Sequence, residues 1–392
     1  MTDNEEFITP SDDVKVYETF DDMNLSEELL RGVYSHGFTK PSQIQTKGIM
    51  PMVEGRDLIA QAQSGTGKTG TFVIGSLARV DPTLKKPQVL ILVHVRELAQ
   101  QIAKVATAIG SFMKVKVLCA VGGDSVRENV SALDQGAQFV VGTPGRIFDL
   151  INRNALDRSH IRVLIMDEAD QMLQELFFEQ VMCILDKGFP AQTRVALFSA
   201  TMPESVRTVA SKILNDPVRI LIPPSAVALN GIEQYYIDVE REDFKFECIA
   251  DLYKNLNIAQ AVIFCNTRKT AEKLTEKMTA HGFPVSCVHG ELEKPERERR
   301  MKQFIGGENR VMIATDMIAR GIDVQQISLV MNYELPQNHE TYIHRIGRAG
   351  RFGRKGVTIN ILLPEEVQTM KDIAEKFSIV LKETPSDLSM LL

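Results

Sequence analysis

Nearly continuous apolar runs rich in β-branched residues recur along the chain, separated by stretches with helical spacing. Leu58 to Ala60, Val89 to Val93, Val115 to Val121, Phe139 to Val141, Val163 to Met166 and Val195 to Phe198 are such runs, the pattern of strands buried on both faces. Between them lie amphipathic segments such as Arg96 to Ile109. Strands alternating with helices need crossover connections, which give a parallel sheet covered by helices on both faces. The pattern breaks between Asp216 and Gly231, where Pro217, Pro223, Pro224, Ser225 and Asn230-Gly231 cluster. It then restarts: Ala261 to Cys265, Val285 to Val288, Val311 to Thr315, Leu329 to Asn332 and Val357 to Leu362 read as strands, with helices at Ala271 to Ala280 and Pro295 to Phe304. The expectation is an α/β chain of two doubly wound parallel-sheet domains, residues 20–220 and 232–392, joined by a short linker at 221–231. The halves share an architecture without sharing a sequence repeat.

Composition changes this picture little. A chain of 392 residues, 44% apolar and 24% charged, can bury two cores and has an ordinary globular balance. No apolar run approaches the ~18 residues of a membrane span, and no basic segment followed by an apolar one opens the chain. The five cysteines are scattered and never form a C-x-x-C pair, which suits reduced thiols of an intracellular protein better than a disulfide frame or a zinc site. Charge is more informative. The first 22 residues carry eight acids and one lysine, a balance of −7 against −6 for the whole chain, so the remainder stands at +1. Residues 1–19 are expected to be a disordered acidic tail. A near-neutral body is compatible with a local basic groove but not with a surface that grips duplex DNA everywhere.

Two clusters carry chemistry. Ala62-Gln-Ser-Gly-Thr-Gly67-Lys68-Thr69 follows the Leu58 to Ala60 strand and opens a helical stretch. Gly65 and Gly67 let the backbone curl so that N–H groups face phosphate oxygens, Lys68 reaches the β/γ-phosphates, and the Thr69 hydroxyl suits Mg²⁺. Asp167-Glu168-Ala169-Asp170 ends the Val163 to Met166 strand. Beside a phosphate loop, Asp167 is the metal-side carboxylate, Glu168 can polarise an attacking water, and Asp170 can reach a neighbouring motif. The plainer alternative for this cluster is an acidic helix N-terminus favoured by the macrodipole.

On these residues the chain resembles the DEAD-box ATP-dependent RNA helicase family, most closely its translation-initiation (4A-type) subgroup, from about residue 20 to the end. The resemblance implies two RecA-like domains, with ATP and Mg²⁺ as ligands. Phe20 and Gly37-Phe38-Thr39-Lys40-Pro41-Ser42-Gln43-Ile44-Gln45 match its adenine-reading motif, which puts Phe20 over the base and Gln45 on its edge; a core role for Phe20 is the alternative. Ser199 and Thr201, in Ser199-Ala200-Thr201, match the motif that couples nucleotide state to RNA. In the second half Ala319-Arg320-Gly321-Ile322-Asp323 and His344-Arg345-Ile346-Gly347-Arg348-Ala349-Gly350-Arg351 match two more motifs. They imply Asp323 as a ribose contact, Arg320 and Arg345 as coupling residues, and His344, Arg348 and Arg351 as catalytic. The two later arginines would be fingers that neutralise charge on the γ-phosphoryl group. A solvated basic turn is the alternative for Arg345 to Arg354.

The same resemblance places RNA on Arg96, Glu97, Gly122, Gly123, Thr143 and Arg146, and on Asn266-Thr267-Arg268, Arg297, Thr315 and Asp316. Glycines, hydroxyls and arginines suit phosphates and 2′-hydroxyls and read base edges poorly, so recognition should be sequence-independent. Three positions depart from the family pattern: His94-Val95 stand where Pro-Thr is usual, and Lys294 where Gln is usual. The expected activity is RNA-dependent ATP hydrolysis with local unwinding of short duplexes in translation initiation, by a cytoplasmic monomer that meets an initiation scaffold protein and no membrane. An ATP-gated RNA clamp and, less favoured, a DNA translocase are the alternatives.

Overall fold

The computed structural model describes residues 11, 14–62, 65–173, 175–221, 232–256, 259–316, 327–349 and 356–385. The chain divides near residue 223 into two compact units. In the first, β1 (Leu58–Gln61), β2 (Val89–Leu92), β3 (Val117–Ala120), β4 (Phe139–Gly142), β5 (Val163–Asp167), β6 (Arg194–Ser199) and β7 (Val218–Leu221) form one sheet ordered β3-β4-β2-β5-β6-β1-β7. In the second, β8 (Ile232–Asp238), β9 (Ala261–Cys265), β10 (Val285–Val288), β11 (Val311–Thr315), β12 (Leu329–Asn332), β13 (Gly356–Leu362) and β14 (Leu381–Glu383) follow β10-β11-β9-β12-β13-β8-β14. Add seven to each strand number of the first order and the second results. Two doubly wound parallel sheets of one topology are therefore present, as the alternation of runs requires.

Alternate residues of each strand feed opposite faces. In the first unit Ala60, Ile91, Val141, Ile165 and Phe198 enter one apolar cluster, while Ile59, Leu90, Val140, Leu164 and Leu197 enter the other. The second unit divides in the same way, with Ile263, Ile313 and Met331 on one face and Val262, Met312 and Val330 on the other. Both faces being covered, the strands carry no polar alternation. All five cysteines are free, and no helix among the described residues is long and apolar enough to cross a membrane.

Two segments differ from the sequence expectation. The proline-bearing stretch after Asp216 opens with β7, which pairs with β1 (Leu58 beside Val218). Its short Val-Arg-Ile-Leu pattern is masked by the prolines around it. The acidic tail, expected to be disordered through residue 19, makes contacts before that point. Ser11 and Arg219 exchange hydrogen bonds at 3.1 and 3.0 Å, and Val14 and Tyr17 pack against the first core. The rest of the expected linker lies outside the described residues.

The matching turns after β2 and β9 reveal a local asymmetry. Helix α1 (Arg268–Ala280) begins at Thr267, whose hydroxyl accepts from the Thr270 N–H at 3.1 Å. Helix α2 (Arg96–Ile109) begins at Val95 with no side-chain cap. A hydroxyl at this place satisfies an N–H of the first turn that valine cannot. Val95→Thr, nearly isosteric, is expected to add about 0.5–1 kcal/mol of stability, a rise of a few degrees in melting temperature. A melting curve on the full chain checks it, and an unchanged midpoint would show that the first turn gains nothing from a cap.

Candidate nucleotide and RNA site

Leaving β1, the chain turns through Gly65 (φ 82°) and Gly67 (φ 102°) into helix α3 (Lys68–Leu77). Gly67 has two reasons to be glycine: its left-handed backbone, and a Cβ there would lie 2.4 Å from Ser42 Oγ. Lys68 is buried, and its ammonium has no hydrogen-bond partner among the described residues. A buried ammonium is costly unless charge compensates it. The compensation here comes from Asp167, whose carboxylate feels Lys68 across the gap between strands. A glycine loop, a helix start and an under-bonded buried ammonium together fit a phosphate group.

β5 delivers three buried carboxylates: Asp167, Glu168 and Asp170 are each under 5% exposed. Burial pushes the Asp167 carboxyl up to about 7; Lys68 opposes this, while the charges of Glu168 and Asp170 add to it. Glu168 sits in the left-handed region (φ 51°, ψ 51°), a strain of roughly 1 kcal/mol for a non-glycine residue. Its N–H donates to Asp167 Oδ1 at 2.9 Å. Asp170 turns away toward the end of β6, where the Thr201 hydroxyl donates to Asp170 Oδ2 at 2.8 Å and the Asp170 N–H donates to Ser199 Oγ at 3.3 Å. The carboxylate cluster and the Ser199-Ala200-Thr201 turn thus form one hydrogen-bonded unit. No group of three or more His, Cys, Asp or Glu fit to hold a metal exists among the described residues. Asp167 and Thr69 are therefore a sparse donor set, which suits Mg²⁺ held mainly by phosphate oxygens and water.

On the base side, Gln45 begins helix α4 (Gln45–Val53) and braces the loop. Its Oε1 accepts from the Ser42 N–H at 2.8 Å and its Nε2 donates to Gly67 O at 3.3 Å. Each amide atom keeps one further hydrogen-bonding site for a base edge. Phe20 does not stand over that position. It is 0% exposed within the first core, edge-on to Tyr34 and stacked on Phe38 with centroids 6.4 Å apart. Fully enclosed by apolar neighbours, it has no face left for a base. The half-buried Phe38 lies at the surface, its ring 3.0 Å from where a Cβ on Gly70 would be. The sequence reading puts Phe20 over the base, and its burial in the core overturns that assignment; Phe38, inside the Gly37 to Gln45 motif, is the ring that reading passes over.

Of the first-unit residues expected to meet RNA, Arg96, Gly122, Thr143 and Arg146 line a cavity of about 440 Å³, together with His94, Gly145, Phe177 and Gln180, while Glu97 and Gly123 are not among its walls. Arg96 donates to Gly122 O, and Arg146 donates to Asn129 Oδ1 and, at 2.7 Å, to Asp124 O. Both guanidinium groups are braced against backbone before any ligand arrives. A Cβ on Gly123 would lie 2.6 Å from Arg96.

In the second unit Arg345 does not line a surface. It is fully buried and all five of its N–H donors are used, two on Asp316 and one each on Asn266, Asn332 and Glu334 O. This ties the ends of β9, β11 and β12 together, so the segments bearing Asn266 and Thr315 share one buried anchor. His344 and Arg348 are buried on the same helix and turn, with Arg348 Nε donating to His344 O at 3.3 Å. Arg297 reaches Gly290 O at 3.5 Å. Arg320, Asp323 and Arg351 lie outside the described residues, as does the Lys294 side chain.

With this geometry in place, comparison with known proteins is decisive. Residues 42–209 match the DEAD/DEAH box helicase model, and residues 244–353 match the helicase conserved C-terminal domain. The chain belongs to the DEAD-box family of ATP-dependent RNA helicases. It is 51% identical to the ATP-dependent RNA helicase eIF4A of Chaetomium globosum, covering 96% of this chain and 94% of that one. The Candida glabrata protein of the same name is 52% identical over 97% and 95%. Among solved structures, S. cerevisiae Dbp5 bound to RNA and ADP BeF3 matches with a TM-score of 0.88 and 36% identity, over 95% of this chain and 96% of that one. Two RecA-like domains are thereby established.

The two phenylalanines separate by experiment. Phe20→Ala should cost about 3–5 kcal/mol of stability, as a buried ring does. Phe38→Ala should leave the melting temperature nearly unchanged while weakening ATP binding. Equal loss of stability in both variants would return Phe38 to the core.

Proposed function

We propose that this helicase hydrolyses ATP to ADP and phosphate under stimulation by RNA, and locally melts short duplexes during translation initiation in the cytoplasm. The observation that carries the reading is the buried Lys68 ammonium, without a hydrogen-bond partner among the described residues, whose charge acts on Asp167. In this reading Lys68 and the loop N–H groups hold the β/γ-phosphates, and Gln45 and Phe38 hold adenine. Thr69 and Asp167 would hold Mg²⁺, which when bound neutralises phosphate charge. Glu168 polarises the attacking water and takes its proton. Arg348 and Arg351, which belong to the second half, are the arginines that neutralise charge on the γ-phosphoryl group in this reading. Ribose falls to Asp323, and coupling to Asp170, Ser199, Thr201, Arg320 and Arg345.

RNA lies along Arg96, Gly123, Thr143, Arg146, Arg297 and Thr315, with contacts to phosphate and 2′-hydroxyl rather than base edges. Support comes from the braced arginines of the cavity and from Dbp5, whose solved complex holds RNA and ADP BeF3. The name shared by the eIF4A relatives supports the initiation role; in this reading the protein acts as a monomer that an initiation scaffold protein recruits.

Lys68→Ala should weaken ATP binding by about tenfold or more, the scale of a hydrogen bond to a charged group. Glu168→Gln should bind ATP normally and lose RNA-stimulated turnover by about 10²–10⁴-fold. Turnover, ATP binding and release of a short duplex by the isolated chain are the measurements. Wild-type turnover in Glu168→Gln would remove that residue from the chemistry. Retention of RNA on ATP with no duplex release would turn the reading toward a clamp.

A further inference from the structure

The turn after β2 holds a contact that the family pattern does not provide. β2 and β5 pair with Leu92 beside Met166. Two residues further along each strand the chain reaches His94 and Glu168. Their side chains meet there, His94 Nδ1 lying 3.5 Å from Glu168 Oε2, with 4% and 5% of each side chain exposed. Proline, the usual residue at this place, has no side-chain donor.

We infer that His94 is a positioning residue for Glu168, orienting its carboxylate from the side of the RNA cavity. The inference rests on the reading of Glu168 as the group that polarises water. Glu168 stands between two other buried carboxylates, Asp167 and Asp170, whose charges push its own carboxylate away from any fixed place. At 3.5 Å the imidazole stands beside Oε2 without a hydrogen bond to it; a small closure of that gap would let an N–H restrain Oε2 and leave the second oxygen for the proton of the attacking water. The same imidazole lines the cavity with Arg96, Thr143 and Arg146. A ligand in that cavity and the Glu168 carboxylate therefore lie against one ring, whose nitrogens are both buried, so a shift of the ring from the cavity side is carried to the hydrolytic carboxylate.

The test is RNA-stimulated turnover of the full chain carrying His94→Ala or His94→Gln. The Ala variant should lose about tenfold in kcat, the scale of one hydrogen bond to a charged group, with KM for ATP changed by less than about twofold. The Gln variant, which retains an N–H donor, should recover most of that loss. In a Glu168→Gln background, His94→Ala should change the residual rate no further, because both act through one carboxylate. An unchanged kcat in His94→Ala, equal losses in the Ala and Gln variants, or a further loss in the Glu168→Gln background would each overturn the inference. A fall in melting temperature matched by a rise in KM would also overturn it, making His94 a packing residue. If Glu168→Gln itself turns over like the wild type, the assignment of Glu168 is what fails.

Discussion

Three carboxylates and one ammonium are buried together at the ends of β1 and β5, and this imbalance of charge constrains everything around it. Several kcal/mol attach to each buried ion that lacks a partner. The structure answers each carboxylate differently. Asp170 is held by the Thr201 hydroxyl and Ser199, and Asp167 by the Glu168 N–H and the Lys68 charge. Glu168 is turned out of line by a left-handed backbone. What remains unbalanced is the Lys68 ammonium, short of hydrogen bonds, and a carboxyl at Asp167 raised to about 7 by burial. Both would be relieved by a ligand that brings phosphate oxygens and a divalent cation together, which is the chemistry of the proposed nucleotide site.

Much of this was legible in the chain because it rests on local pattern. Buried parallel strands show as unbroken apolar runs, and the phosphate loop and the Asp167 to Asp170 cluster sit directly after such runs. What was not legible depends on distance in space. Phe20 and Phe38 are both aromatic residues near the motif, and nothing in their neighbours along the chain says that one ring lies beneath the other. The bracing of the loop by Gln45 joins residues 22 apart. β7 is four residues long on the edge of its sheet, too short to show a period among prolines. Arg345 reads as part of a basic run, and only the packing of three strand ends turns it into a buried anchor.

The repeated topology allows the two units to be compared place for place. β2 lies between β4 and β5, and β9 between β11 and β12. In each unit the turn after that strand therefore neighbours two others at the carboxyl edge of the sheet. In the second unit this junction is closed. Arg345 bonds Asp316 after β11, Asn266 after β9 and Asn332 in β12, with no donor left over. A fully satisfied buried network has no competing arrangement of similar energy, so it fixes the three ends relative to one another. In the first unit the corresponding edge is tied instead by Arg96 on Gly122 O and by Arg146 on Asn129 and Asp124 O.

There the turn carries His94 and Val95, the two described departures from the family pattern, between Thr143 to Arg146 after β4 and the carboxylates after β5. Val95 leaves α2, the helix that bears Arg96, without a side-chain cap. His94 adds a contact toward Glu168. The turn that the second unit ties through Arg345 thus carries, in the first unit, an uncapped helix start on one side and the approach of His94 to Glu168 on the other, so a change at either residue bears on the turn that both share.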